Sequence, residues 1–510
     1  MNKFNVIHCS QRYLLLAVAI VLGAASLMIS YCGKKKASSD RTKYVLAQIG
    51  NKTITADEFI RRAEYTIRPP YCKGDNYIHR KIVLNSLIAE KLLALEAGDD
   101  NELTRNEQFQ LYLQGRKEQA MRQWLYHDVA YQHATVDSAK IKKVYDVAGR
   151  KYRINYVSLS DSNQLEQFKR QLLAAAEPPD SVFRHYFGLD TIPQREISWS
   201  DQDDPAIHQA LFSQRLTKGE VVGPLAVGNG QYVLMQIDGW TDRLAISDRD
   251  IQQRWNDVAE YLKIQQANQI YGSYIANVMK GKRVEFARET FFKLAQFMAP
   301  FFLKSQEDKK EAFTRRFWKD EMLPDSLSSE IDEIMNHSLL TIDGQTWQVS
   351  DFLKEMMVHP LVFRKRKFSQ REFPEQFKLA IVDMIRDKYL TQEAYKKNLD
   401  RVNGVVSTTN MWRDYLLAQF QKNRYLQSQN AGEESDYMKL ISNYLNRYVD
   451  SLQAKYHDQI EINTDKFEKI ELTRIDMFVL QRNVPFPIVV PSFPLLTTDN
   501  RLDYGRKMTN

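Results

Sequence analysis

The stretch IGNKTITADEF, Ile49 to Phe59, reads as two short strands joined at Gly50-Asn51 and running into a helix. Thr55, with Glu58 three residues on, has the form of a capping box. An echo of it, IDGQTWQVSDF, spans Ile342 to Phe352, an offset of 293. A second pair follows in the same order: LIAEKLLALEA (Leu87–Ala97) and MIRDKYLTQEA (Met384–Ala394), at an offset of 297. Ile88/Ile385, Lys91/Lys388, Leu93/Leu390, Glu96/Glu393 and Ala97/Ala394 are identical. Two matches nearly in register predict a duplicated helical module with a four-residue insertion in one copy. Two amphipathic helices alike by chance would give either match singly. In the first copy Ile78, Ile82, Leu84, Leu87, Ile88, Leu92 and Leu95 fall at helical spacing, and Gly98 is placed to end the helix.

The middle of the chain has another grammar. RKYRINYVSLS reads as a strand, NQLEQFKRQLLAAA as a helix, REISWS as a strand and DPAIHQALFSQRLTKGE as a helix. VVGPLAVGNGQYVLMQIDG then reads as two strands around Gly-Asn-Gly. This is a compact α+β order. The expected class is therefore α+β, with helical modules flanking a small α+β domain. The expected boundaries are a leader at 1–32, a first module at 44–134 and a middle domain at 137–242. A long helix over 243–300 packs back on the first module. A second module spans 301–426, and a C-terminal helix, strands and Pro-rich tail span 437–510. VPFPIVVPSFP, holding Pro485, Pro487, Pro491 and Pro494, cannot be helical and should be extended and packed.

With 510 residues, 43% hydrophobic and 26% charged, the chain can bury several ordinary cores. A net charge of +7 is a mild excess, and its basic runs, Lys34–Lys36 and Arg364–Lys367, are short, which argues against a nucleic-acid partner. Cys72 is the only cysteine outside the leader region, so no disulfide framework is expected. Lys3 and Arg12 precede the uncharged run Tyr13–Ser30, the pattern of a signal or anchor segment. Cys32, separated from it by Tyr31 where such leaders usually carry a small residue, resembles the lipidation cysteine of a bacterial lipoprotein leader. An uncleaved anchor helix and an ordinary cleaved signal are the alternatives. All three place the body outside the cytoplasmic membrane, periplasmic and membrane-anchored in the first two. There is no HExxH, CxxC, GxxxxGK[ST], GxGxxG or GxSxG, so neither a metal nor a cofactor is expected.

ALF…LTKGEVVGPLAVGNGQYVLMQI resembles the parvulin-type peptidyl-prolyl cis-trans isomerase domain through Gly219, Glu220, Val221, Pro224 and Gly230. The flanking modules resemble the chaperone module of SurA- and PrsA-like extracytoplasmic folding factors. Ile49, Gly50, Ile54, Thr55, Glu58 and Phe59 carry that likeness, with Leu87, Ile88, Lys91, Leu92, Leu93, Glu96 and Ala97. The resemblance implies a rotamase site with two histidines facing each other. Tyr156 and Tyr232 stand at those positions, so the site is degenerate. Ile207, Phe212 and Leu234 would line the proline pocket. Rotation about X-Pro meets a barrier of about 20 kcal/mol, and its catalysis needs a dry pocket rather than a nucleophile.

The expected function is a membrane-tethered folding factor that binds unfolded or translocating secreted or outer-membrane polypeptides. Phe59, Tyr65, Leu92, Phe109, Tyr112, Trp124, Phe352 and Trp412 are its candidate client contacts, although each taken singly suits a core. The alternatives are an active parvulin-type isomerase and a structural scaffold.

Overall fold

The structure is a computed structural model. It describes residues 44–303 and 331–508, apart from 176, 178, 189–191, 202, 366–367, 433 and 473–484. Cys32 and the leader lie outside the described residues, as does most of 301–330.

The first module opens with β1 (Val45–Ile49), β2 (Lys52–Thr55) and α1 (Ala56–Glu64). Thr55 caps α1 by accepting from the Glu58 amide at 3.1 Å. Then come α2 (Tyr77–Ala97), α3 (Glu102–Arg105) and α4 (Glu107–Val129). Every residue of α2 from Ile82 to Ala94 is buried. A helix apolar on one face does not do that alone, so α2 is sheathed on all sides. The sheath comes from the other end of the chain.

The middle domain holds α5 (Ser138–Ala148), β3 (Arg150–Leu159), α6 (Ser162–Ala174), α7 (Pro179–Phe187) and β4 (Gln194–Ser198). α8 (Pro205–Phe212), β5 (Val221–Val227) and β6 (Gln231–Asp242) complete it. Its antiparallel sheet has the order β4-β3-β6-β5. α9 (Asp248–Val278) leaves it. Tyr261 of α9 meets Trp199 edge-on and His208 at a tilt, while Ala267 and Tyr271 pack against Met121, Leu125 and Tyr126 of α4. The long helix returns to the first module, and it ends at Val278 rather than continuing to 300.

The second module comprises β7 (Val284–Phe286), α10 (Arg288–Phe302), β8 (Ser338–Ile342), β9 (Gln345–Gln348), α11 (Val349–Val358), α12 (Phe373–Lys396) and α13 (Asn403–Ser428). Asp343 and Gly344, at φ 51° and 75°, make the tight turn of its hairpin. β7 therefore starts this module within the segment expected to be all long helix.

The C-terminal segment is not a separate unit. It holds α14 (Tyr437–Leu440), a π turn at Ile441–Leu445, α15 (Asn446–Lys455), β10 (Ile460–Ile462), α16 (Thr464–Phe467) and β11 (Arg506–Lys507). Its sheet has the order β11-β10-β1-β2, so the chain's end completes the sheet that its beginning starts. Val449, Phe467, Phe493 and Leu496 share one core with Leu46, Phe59 and Leu92. Phe486 is buried beside Tyr271, so the described part of the Pro-rich tail is packed as expected.

α13 packs on α2 of the first module, whereas α4 of the first module packs on α11 and α12 of the second. The two modules thus exchange their last helices.

Candidate functional site

The middle domain does not assemble the expected rotamase site. In the β3–β6 ladder Tyr156 lies opposite Met235, and Tyr232 lies opposite Leu159. The two tyrosines are three register steps apart. Side chains alternate between faces at every step, so an odd separation puts them on opposite faces of the sheet. Tyr156 packs with Ile207, Phe212 and Met235 under α8. Tyr232 packs with Leu234, Phe168 and Phe183 under α6 and α7. The expected facing pair is therefore absent, and Leu234 does not share a pocket with Ile207 and Phe212. Ile207 (8% exposed), Phe212 (1%) and Leu234 (0%) are core residues. Sequence reading missed a polar pair in the same ladder: buried Asn155 lies opposite buried Gln236, and Gln194 donates to Asn155 at 2.9 Å.

The client-contact candidates also resolve mostly into core. Phe59, Leu92, Phe109 and Phe352 have 0% exposure, and Trp412 is buried. A side chain without exposed surface offers a client nothing in this conformation. Tyr112 stacks edge-on against Trp412, with Arg116 over both rings, and keeps part of its surface. Tyr65 and Trp124 are half-buried, and Trp124 faces the backbone of Gly404.

Where α13 meets the first module, charges are buried. Lys91 Nζ lies 2.8 Å from Glu58 Oε1 and 2.9 Å from Asp414 Oδ2, and Lys52 Nζ lies 2.6 Å from Asp414 Oδ1. Beside them Arg62 donates both arms of its fork to Glu90 at 2.7 Å, and donates to the Ser492 carbonyl of the tail at 2.9 Å. Burial alone would disfavour every one of these charges. It does raise Glu58, with Lys91 only partly offsetting it. For Asp414 burial is outweighed by Lys91 and Lys52, which hold it below the ordinary carboxylate value. Lys91 is likewise held above its ordinary value, Glu58 and Asp414 outweighing burial. Above this cluster opens a cleft of about 630 Å³. Lys52, Thr53 and Thr55 line one side, and Asn403, Ser407 and Asn410 of α13 line the other. The Lys91/Lys388 identity was the sequence signal for this cluster. Asp414 gave none, since its partners are 323 and 362 residues away.

The second module has its own seam on α4. His359 Nε2 lies 2.9 Å from Glu118 and 3.3 Å from Glu355. Arg122 Nη1 lies 3.2 Å from His359 Nδ1 and donates to Thr391 at 2.8 Å. A guanidinium only donates, so Nδ1 accepts and Nε2 carries the proton toward Glu118. Burial pushes Glu118 up, but bonds from His359 and Gln114 outweigh it and leave it lowered. Glu118 and Asp414 thus contribute stability that is present above their ordinary values, about 4, and is lost as pH falls through their lowered folded values. Glu58, raised, works against them: its contribution is present below its ordinary value and lost as pH rises through its raised one. Thermal unfolding followed from pH 7 to pH 2 should show a midpoint that falls below about pH 4. Glu118→Gln should make that fall shallower. An unchanged slope in the variant would remove Glu118 from the account.

Among the described residues no group of three or more His, Cys, Asp or Glu is placed to hold a metal, and no helix is long and apolar enough to cross a membrane. No family model, curated protein or solved structure matches the chain.

Proposed function

We propose that the chain is an extracytoplasmic folding factor, tethered to the membrane through its leader, which holds unfolded secreted or outer-membrane polypeptides. The observation that carries this reading is the repeated hairpin-and-helix module, present twice and interlocked by exchange of α4 and α13. The order of the middle domain, a strand, two helices, a strand, a helix and a hairpin, supports a parvulin-like origin. Its two tyrosines on opposite faces favour a domain retained for binding or spacing over a working isomerase. Capture of clients would be weak and broad, since ordering an unfolded chain costs entropy.

The test has two arms on the full chain. Aggregation of several unrelated unfolded proteins should be suppressed. Protection of one protein alone, or none, would favour a scaffold and sink the proposal. In a protease-coupled assay, X-Pro isomerisation should stay at the uncatalysed rate. Acceleration that disappears in Tyr232→Ala would overturn the degenerate-site reading.

A further inference from the structure

We infer that the cleft beside β2 seats an extended, uncharged polypeptide segment, which adds to the free edge of β2 beneath α13. The inference rests on the folding-factor reading and gives it a site.

It starts from a comparison within the molecule. α4 begins at Glu107 and α13 at Asn403, an offset of 296. At that offset Phe109 and Val405, Glu118 and Asp414, and Met121 and Leu417 are all buried. The repeat therefore extends through both exchanged helices, and the two seams are counterparts. The difference that bears on packing is at Gly115 of α4, which corresponds to Met411 of α13. A Cβ on Gly115 would lie 2.2 Å from the Val358 carbonyl oxygen, so α11 rests directly on α4. That seam is closed. In the first module Met411 occupies the matching place, and α1 and α13 line opposite sides of an open cleft.

The cleft has the equipment to hold a strand. β2 is the terminal strand of its sheet. Ile49 and Lys52 flank the two-residue turn as a directly paired couple, so at the next pair, Gln48 and Thr53, the ladder turns the Thr53 amide and carbonyl away from β1. Thr53 is exposed. An added strand would satisfy these groups, as in recognition by β-augmentation. Four residues of β2 offer a contact about 13 Å long.

The walls select for an uncharged occupant. Asn403, Ser407 and Asn410 supply hydroxyl and amide groups. Every charged group around them is committed: Lys52 and Lys91 to Asp414, Arg61 to Asp57 at 3.0 Å, and Arg413 to Asp99 at 2.7 Å. A charged occupant would meet cations and carboxylates that already balance one another, and so would find no unmatched counter-charge. An extended main chain carrying Thr, Ser or Val needs none.

The probe is a short fluorescein-labelled peptide of Thr, Ser and Val, titrated by anisotropy against the full chain. Thr53→Pro removes the edge amide without removing a ladder bond, and Ser407→Trp fills the cleft from an exposed position of α13. Each should weaken binding at least tenfold, and the Thr53 amide should exchange more slowly with the probe bound. Unchanged affinity in Ser407→Trp would overturn the inference. So would displacement of the probe by rising chain concentration, which would assign the cleft to a second copy. Aggregation suppression without probe binding would remove the cleft and leave the folding factor. Probe binding without aggregation suppression would do the reverse.

Discussion

Gly115→Ala is expected to destabilise the protein by about 3 kcal/mol or more, at the upper end for overpacking. The added Cβ would stand 2.2 Å from the Val358 carbonyl oxygen and 3.1 Å from its carbonyl carbon. Both belong to backbone, which cannot rotate aside as a side chain would. α11 must then lift from α4, and the seam around His359, Glu118 and Arg122 opens with it. The same substitution at Gly272 should do the opposite. Gly272 lies in α9 with nothing within 4 Å of a Cβ, and alanine there should stabilise by about 0.5–1 kcal/mol through helix propensity. Urea unfolding of both variants beside the parent reads the contrast. Two shifts of the same sign would show that α11 does not press on α4 at Gly115.

Lys91→Met is expected to cost about 3–5 kcal/mol. The methionine fills most of the space but leaves Glu58 and Asp414 buried around a missing cation. Asp414 keeps Lys52, while Glu58 loses its nearest positive charge. Adding Asp414→Asn to Lys91→Met should cost less than the two single losses combined, because both act on one network. Lys388 is the residue identical to Lys91 in the repeat, and it pairs with Glu355. Its side chain is about a third exposed, so Lys388→Met should cost no more than about 1 kcal/mol. Equal losses at Lys91 and Lys388 would mean that burial does not set the strength of these pairs.

The pairs also show how the repeat was reworked. By the offsets of 293 and 297, Arg62 corresponds to Glu355, and Glu90-Lys91 to Asp387-Lys388. Arg62 bonds Glu90, whereas Glu355 bonds Lys388. The link between hairpin helix and long helix survives with its polarity reversed. Only the hairpin-helix position has changed charge, from Arg62 to Glu355, and the bond has moved from the acid of the long-helix pair, Glu90, to the lysine, Lys388.

Local chemistry made the hairpins and the main helices legible. Asp343-Gly344 needs positive φ, Thr55 caps α1, Asn76 caps α2 and Gly98 ends it. These features depend on residues within a few places of one another, and so they appear in the sequence as motifs. The same holds for the repeat as far as Ala394. It went unread beyond that point because α4 and α13 share burial and charge positions but few identities.

What the sequence determined by itself is the α+β class, the two hairpin-and-helix units and the strands of the middle domain. Only the tertiary structure decided which face each tyrosine takes, because three steps of register invert a side chain and register is set by the whole ladder. It likewise decided that β10 pairs with β1, that the tail's Ser492 carbonyl meets Arg62, and that Asp414 neutralises Lys91. Those contacts join residues more than 300 positions apart. Their partners are chosen by the burial and charge balance of the assembled core, and no local pattern records that choice.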